Sequence, residues 1–387
     1  MATNDEPRHL HHGSRHRVLK IVSAAVAAAV VLAAIGVFVA YRHLSGNITS
    51  LDPSKDLGSH RPSKIVKPHE PNKPLNILLI GSDTRKGQHG HFGAVSGARS
   101  DTTILLHINA KRTLAYGVSI PRDSMVRRPS CKTANGNVVP AGLDMWNAAF
   151  SYGGPGCTWK QVEQTTHVHV DHFIEIDFNG FRDMVNALGG VQVCLPYSVS
   201  DPHSKIYLPA GTHTFMGAEA LKYVREREAF PTGSDITRTK RQQAFLASMA
   251  HKAISTGTLL DIPKLYSFLD AATKSVTTDP GLASLAHLAG LAESLKHIGP
   301  SHIQFVTVPT KPWPNNPNRV VWTPKAKQIW RNMRYDKPLP RSMMTQVTTA
   351  AGQGGKHQPG EGKTPGKVSR KQAVKRAKQA RENGLCA

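Results

Sequence analysis

Two hydrophobic patterns divide the chain. The first is an unbroken apolar run, IVSAAVAAAVVLAAIGVFVAY, 21 residues from Ile21 to Tyr41 with no charge and no proline. At a rise of about 1.5 Å per residue it forms a helix roughly 30 Å long, the thickness of a bilayer's hydrocarbon core. The second pattern begins at Leu75, where short apolar, β-branched runs alternate with stretches of helical spacing. LNILLIG (75–81), TTILLHIN (102–109) and TLAYGVSIP (113–121) read as buried strands, and the short NAKR connection makes the last two a hairpin. HFIEIDF (172–178) alternates as a strand; a helix is expected over 180–188, ended by Gly189-Gly190 before the strand VQVCL. Helical spacing resumes from Arg238 to Ile254 and, more weakly, through 261–297, and IQFVTVP (303–309) returns as a last strand. The expected fold is α/β: an α-β-α sandwich with a central mixed sheet flanked by helices.

Charge changes the picture at both ends. The formal net charge is +23 over 387 residues, a balance that suits a polyanionic partner: nucleic acid, anionic membrane or a phosphate-rich polymer. Arg8, Arg15, Arg17 and Lys20 precede the apolar run, against Asp5 and Glu6 alone. That bias places residues 1–20 in the cytoplasm, makes 21–41 an uncleaved signal-anchor with Tyr41 at the interface, and exports the remainder. A cleaved signal peptide is the competing reading, but the run exceeds the usual core of one and no clear A-x-A site follows it. Residues 42–73, rich in Ser, Pro, Lys and His without periodicity, read as a linker. Residues 74–340 read as the extracytoplasmic domain, and 341–387 as a basic disordered tail, solvated in the plain reading and in electrostatic contact with wall polymer or lipid head groups in the alternative. Export makes wall polyanions and lipid phosphates better partners than nucleic acid. The four cysteines, Cys131, Cys157, Cys194 and Cys386, fit an oxidising compartment and lack metal-ligand spacing. Cys131 and Cys157, flanking one Gly- and Asn-rich loop, are the first choice for a disulfide; Cys194 is open between a bridge and a buried thiol.

The candidate chemistry gathers at strand ends. Asp83 follows the first strand and Asp101 precedes the second, so both can meet at one sheet edge, where open αβ folds place ligands. Two carboxylates with waters and phosphate oxygens suit Mg²⁺, or Mn²⁺ in its place. Turn capping is the plain alternative for Asp83. Arg99 lies two residues before Asp101. Arg122 ends a strand in PRD, where pairing with Asp123 is the plain alternative. If YVRER is extended, Arg225 and Arg227 share one face as a fork for phosphate oxygens. Ser234 or Asp235 is placed to cap the next helix. Within it Arg238, Gln242, Phe245 and Met249 fall at i, i+4, i+7 and i+11, which turns Arg238 and Gln242 inward at a helix N-terminus that already favours anions. Two carboxylates and five arginines in an exported domain suit phosphoryl transfer on a di- or polyphosphate. No nucleophile elbow, H-E-x-x-H motif or P-loop competes.

The chain resembles the LytR-CpsA-Psr family of membrane-anchored glycopolymer ligases. The resemblance rests on NILLIGSDTR (76–85), GARSDTTILLHIN (97–109), YGVSIPRD (116–123), NAAFSYGG (147–154), DHFIEIDFNGFRDMVNALGGVQV (171–193) and ALKYVREREAFPTGSDITRTKRQQAF (220–245), in order over roughly residues 74–255. The Trp146 context and the cysteine positions are actinobacterial in style. The resemblance implies an apolar groove for a polyprenyl chain and transfer of a phosphoglycan from a polyprenyl-pyrophosphate carrier to a peptidoglycan hydroxyl. It implies Mg²⁺ at Asp83 and Asp101, and pyrophosphate contacts from Arg99, Arg122, Arg225, Arg227, Arg238 and Gln242. Arg122 and Arg238 would act in catalysis, and Asp235 would serve as base or arginine orienter. Thr237 stands where the family usually has glycine, and the loop EAFPTGS varies in length across it. The rival readings are a nucleic-acid-binding regulator, a non-catalytic polyprenyl-phosphate-binding wall protein, and a polyprenyl pyrophosphatase with water as acceptor.

Overall fold

The computed structural model describes residues 13–83, 100–201, 206–226 and 235–349. The chain divides after Asn47. The first unit is one helix, α1 (Gly13–Asn47), and its stretch from Arg17 is long and apolar enough to cross a membrane.

The second unit is built on an eight-stranded mixed sheet. Its strands are β1 (Thr49–Ser50), β2 (Leu75–Ser82), β3 (Ser100–Ile108), β4 (Ala115–Ile120), β5 (His172–Asp177), β8 (Val276–Thr278), β9 (Ile303–Thr307) and β10 (Thr348–Thr349). They lie in the order β1-β8-β5-β2-β3-β4-β9-β10. Two further strands, β6 (Val191–Leu195) and β7 (Gly211–Phe215), form a separate antiparallel pair. The helices used below are α2 (Ala148–Thr166), α3 (Phe178–Ala187), α4 (Gly217–Arg225), α5 (Asp235–Ala253), α6 (Ile262–Ser275), α7 (Leu285–Ile298) and α8 (Lys325–Arg334).

Strand alternation explains the layers, because successive side chains leave opposite faces of a sheet. Leu78, Ile80, Leu105, Tyr116, Val118 and Val306 point into one core, which Trp146, Phe150, Trp159 and Trp330 fill from α2, α8 and the loop before α2. Ile77, Leu106, Ala115, Ile303 and Phe305 point into the other, with Ala247 of α5 and Ile298 of α7. A third cluster joins α3, α4, β6 and β7 to Phe245 of α5. The disulfide joins Cys131 and Cys157 as expected, and Cys194 is disulfide-bonded too.

Four expectations fail on tertiary grounds. Residues 48–73 differ from a linker: β1 pairs in parallel with β8, Leu57 is buried, and Arg61 and Lys64 reach Glu163 and Asp171 at 2.7 and 2.6 Å. The basic residues that looked solvated have carboxylates waiting on the domain surface. VQVCL leaves the central sheet to pair with β7, while β8 enters it from a region read as helical throughout. The start of the expected tail, to Thr349, contributes a 3-10 turn and edge strand β10. Finally, YVRER is not extended. Val224 and Arg225 end α4, whose Ala220 and Tyr223 are buried at helical spacing, and only at Glu226 does the backbone turn extended.

Gly180 makes the contact between α3 and α6. A Cβ there would fall 2.1 Å from Ser275 Cβ. Gly180→Val is expected to destabilise the domain by about 3 kcal/mol, the upper end for overpacking, read as a lowered midpoint in urea melts. Gly290→Ala, in open space, is the control.

Candidate functional site

Three strands bring the expected charges to one sheet edge. β2 runs to Ser82 and is followed by Asp83; β3 runs antiparallel from Ser100, with Gly81 opposite Thr102, so Asp83 and Asp101 lie at the same end. β4 ends there too, delivering Arg122. Arg122 Nη1 donates to Asp101 Oδ1 at 2.7 Å. Asp123 stands off at 3.8 Å from Arg122 Nε and binds Arg319 at 3.0 Å instead. The local pairing suggested by PRD is therefore secondary to one made across the sheet edge.

Beside this ion pair opens a groove of about 140 Å³ between the sheet and helices α3, α4 and α5. Its walls are apolar: Leu79, Ile104 and Ile176 from the sheet, Phe181 and Met184 from α3, Phe245, Leu246 and Met249 from α5. The polar lining includes Asp101, Asp177, Arg225 and Gln242. Arg225 is brought there by the C-terminus of α4 rather than by a strand, and its guanidinium lies 4.7 Å from the centre of the Phe178 ring. Cation–π stacking of this kind holds the charge near the mouth without neutralising it. Gln242 Nε2 donates to Val224 O at 3.1 Å, tying α5 to the end of α4. Arg238, one turn earlier on the same face of α5, is 4% exposed. Asp235 opens that helix; its side chain, with all of Arg99, Arg227 and Ser234, lies outside the described residues.

Sequence reasoning missed the residues that hold this arrangement. The run Thr237 to Gln243 carries no apolar residue, and helical spacing turns only Arg238 and Gln242 inward, yet every member is buried. Gln243 Nε2 donates to Ser119 Oγ at 2.8 Å and Thr307 Oγ1 at 3.1 Å, pinning α5 to β4 and β9 next to Arg122. Arg241 donates to the carbonyl of Glu226, and burial brings its pKa down to about 10. Glu175, 2% exposed, accepts from Ser82 Oγ at 2.6 Å and supports the turn into Asp83.

Lys240 is part of the same buried run. Its Nζ donates to Gln346 O at 2.7 Å, and burial lowers its pKa from 10.5 to about 8. Below pH about 8 both states are protonated and the fold bears the cost of a buried ammonium. Between about 8 and 10.5 the unfolded chain binds more protons, so this lysine makes stability rise with pH. Lys240→Met is expected to flatten that rise, which spans on the order of 3 kcal/mol, in denaturant melts across the window.

Asp83 and Asp101 offer hard oxygen donors at neighbouring strand ends. Among the described residues no cluster of three His, Cys, Asp or Glu side chains is placed to hold a metal. Two carboxylates fit a Mg²⁺ that takes its remaining ligands from water and phosphate, and do not fit an all-protein cage.

The fold and site define a class: an αβα domain with an apolar groove that opens at one sheet edge beside Asp101, Asp177, Arg225 and Gln242. The chain belongs to the LytR_cpsA_psr family, whose model matches residues 40–335. It is 30% identical to the cell wall biosynthesis protein LcpA of Corynebacterium glutamicum over 60% of this chain and 49% of that one. It thus spans about half the length of this relative, whose genus fits the actinobacterial style of the sequence. It is 32% identical to the polyisoprenyl-teichoic acid–peptidoglycan teichoic acid transferase TagT of Bacillus subtilis, covering 72% of this chain and 83% of TagT. A structure of TagT bound to LI-WTA superposes with a TM-score of 0.53 at 25% identity, covering 74% of this chain and 98% of that one.

Proposed function

We propose that this protein moves a phosphoglycan from a polyprenyl-pyrophosphate carrier to a peptidoglycan hydroxyl. The observation that carries this reading is the continuity of an apolar groove with Asp101, Arg225 and Gln242 at its mouth. Such a groove matches a lipid whose charged end is a pyrophosphate. The TagT name supplies the reaction class by likeness.

The hydrocarbon chain would lie against Ile176, Phe181 and Met249. The pyrophosphate would meet Arg122 and Arg225, with Gln242 and Arg238 completing the pocket; Arg99 and Arg227 belong to the same proposal by family resemblance. The acceptor oxygen would attack the phosphorus that carries the glycan. The bond from that phosphorus to the bridging oxygen breaks, and polyprenyl phosphate leaves with the electron pair. Arg122 gains most in this step, because charge grows on the leaving phosphate while Asp101 fixes the guanidinium plane. The acceptor proton would pass to Asp235 or to water. Mg²⁺ held by Asp83 and Asp101 would neutralise phosphate charge.

The basic N-terminal flank supports a topology with residues 1–20 inside and the domain outside the membrane, and the disulfide suits an oxidising compartment. The test is turnover by the full chain in detergent, with a polyprenyl-pyrophosphate glycolipid and a peptidoglycan acceptor. Mg²⁺-dependent release of polyprenyl phosphate with glycan joined to the acceptor is expected. Release with inorganic or water-derived product alone would recast the protein as a pyrophosphatase. Tight binding without release would recast it as a lipid-binding wall protein.

A further inference from the structure

A second surface lies at the far end of α5 from the charged mouth. The segment leading into α6 exposes Leu260 to 82% and Ile262 to 76%, and Tyr266 on the next turn to 40%. Ile262 and Tyr266 are four apart on α6 and share a face. Isolated exposed apolar residues are ordinary, but here two lysines join them. Lys252 Nζ donates to Gly190 O at 2.6 Å and Gly189 O at 3.2 Å. Lys264 Nζ lies 3.8 Å from where a Cβ of Gly189 would stand. The two ammonium groups converge on one glycine turn, and among the described residues neither has a carboxylate partner. Burial and the charge of Lys264 lower the pKa of Lys252. The acids nearest Lys264 in sequence are engaged elsewhere: Asp261 Oδ1 accepts from Lys264 N as a helix cap, and Asp270 Oδ2 pairs with Lys274 at 2.7 Å. Met216, itself exposed, lies against Gly190.

We propose that Leu260, Ile262, Tyr266 and Met216, with Lys252 and Lys264, form a docking surface for an anionic phospholipid membrane. Apolar tips flanked by paired cations suit the interface of such a bilayer. The tips enter among the acyl chains, and the lysines meet head-group phosphates at the level where long basic side chains settle. A soluble polyanion has no use for Leu260 and Ile262, and a neutral apolar partner has no use for two converging ammonium groups. The net charge of +23 favours the same partner. Position adds a reason: Met249 of the groove wall is one helical turn before Lys252. Docking here would bring the groove's far end toward the bilayer. The inference stands whether or not the groove takes a lipid.

The test uses the full chain reconstituted in vesicles. Cys131, Cys157 and Cys194 are bridged, so Ile262→Cys can carry an environment-sensitive fluorophore; Leu143→Cys, at a site 64% exposed elsewhere, is the control. Spin-labelled phospholipid is expected to quench the probe at 262 and spare the probe at 143, in vesicles containing phosphatidylglycerol. In the 262-labelled protein, Lys252→Glu with Lys264→Glu is expected to lower the ratio of docked to free domain at least roughly 30-fold, about fivefold for each lysine charge lost near an anionic surface. Leu260→Gln, a milder surface change, is expected to weaken quenching while melts stay unchanged. Equal quenching at both sites overturns the proposal. So does quenching that is indifferent to phosphatidylglycerol, or a probe that responds to added teichoic acid and not to lipid. None of these readouts needs turnover, so their failure leaves the transfer reading intact, and loss of transfer leaves them unaffected.

Discussion

Arg122→Ala is expected to lower polyprenyl phosphate release about 10³-fold, the scale on which removing a preorganised donor to a developing charge acts. Two effects combine. The substitution removes the guanidinium that the proposed reaction sets against the leaving phosphate, and it strips Asp101 of its 2.7 Å partner. An unpaired Asp101 carboxylate, only 14% exposed, would then repel the incoming pyrophosphate. Arg122→Lys keeps the charge and loses the planar fork, so it should recover part of the rate. Asp101→Asn separates the roles: it leaves the arginine in place and weakens any bound Mg²⁺. A loss in Asp101→Asn that rising Mg²⁺ partly restores supports metal binding there, while one indifferent to Mg²⁺ assigns Asp101 to holding Arg122. Wild-type turnover in both Arg122→Ala and Asp101→Ala would end the catalytic reading of this edge.

The second large effect is expected inside the groove. Leu246→Trp puts a bulky ring on the wall of a cavity of about 140 Å³, at a position that is only partly buried. A lipid tail denied about 100 Å² of apolar contact loses about 2.5 kcal/mol, so KM for a long-chain substrate should rise roughly 70-fold. A short-chain pyrophosphate, which barely enters, should be handled as by the unchanged protein. That contrast distinguishes a blocked groove from a damaged charged mouth, since the latter would affect both substrates alike. A KM unchanged for the long chain would mean the hydrocarbon lies elsewhere. Thermal melts guard against simple unfolding.

Much of the fold was legible because strands carry their own period. LNILLIG, TTILLHIN and HFIEIDF alternate between two cores, and those cores are what the sheet separates. Asp83, Asp101 and Arg122 were legible as a group because each adjoins such a strand, and strand ends collect at sheet edges. The disulfide between Cys131 and Cys157 followed from their flanking one loop. The arginine fork misled for a local reason. Alternating charge in YVRER mimics a strand, but Ala220 and Tyr223 already commit the preceding residues to a helix that buries them. Arg225 reaches the mouth all the same, by a different route.

What the sequence determined by itself is the periodic part: one membrane-length helix, the buried strands and the charge-bearing strand ends, all set by side chains within a few residues of each other. The tertiary structure decided the rest. It paired Arg122 with Asp101 over Asp123, drew the basic 48–64 segment onto Glu163 and Asp171, and buried Lys240, Arg241 and Gln243 in the polar first turns of a helix. Each of these depends on a partner distant in the chain, in most cases by some 100 residues or more. Local pattern reports which way a side chain points; only the folded sheet decides what it meets there.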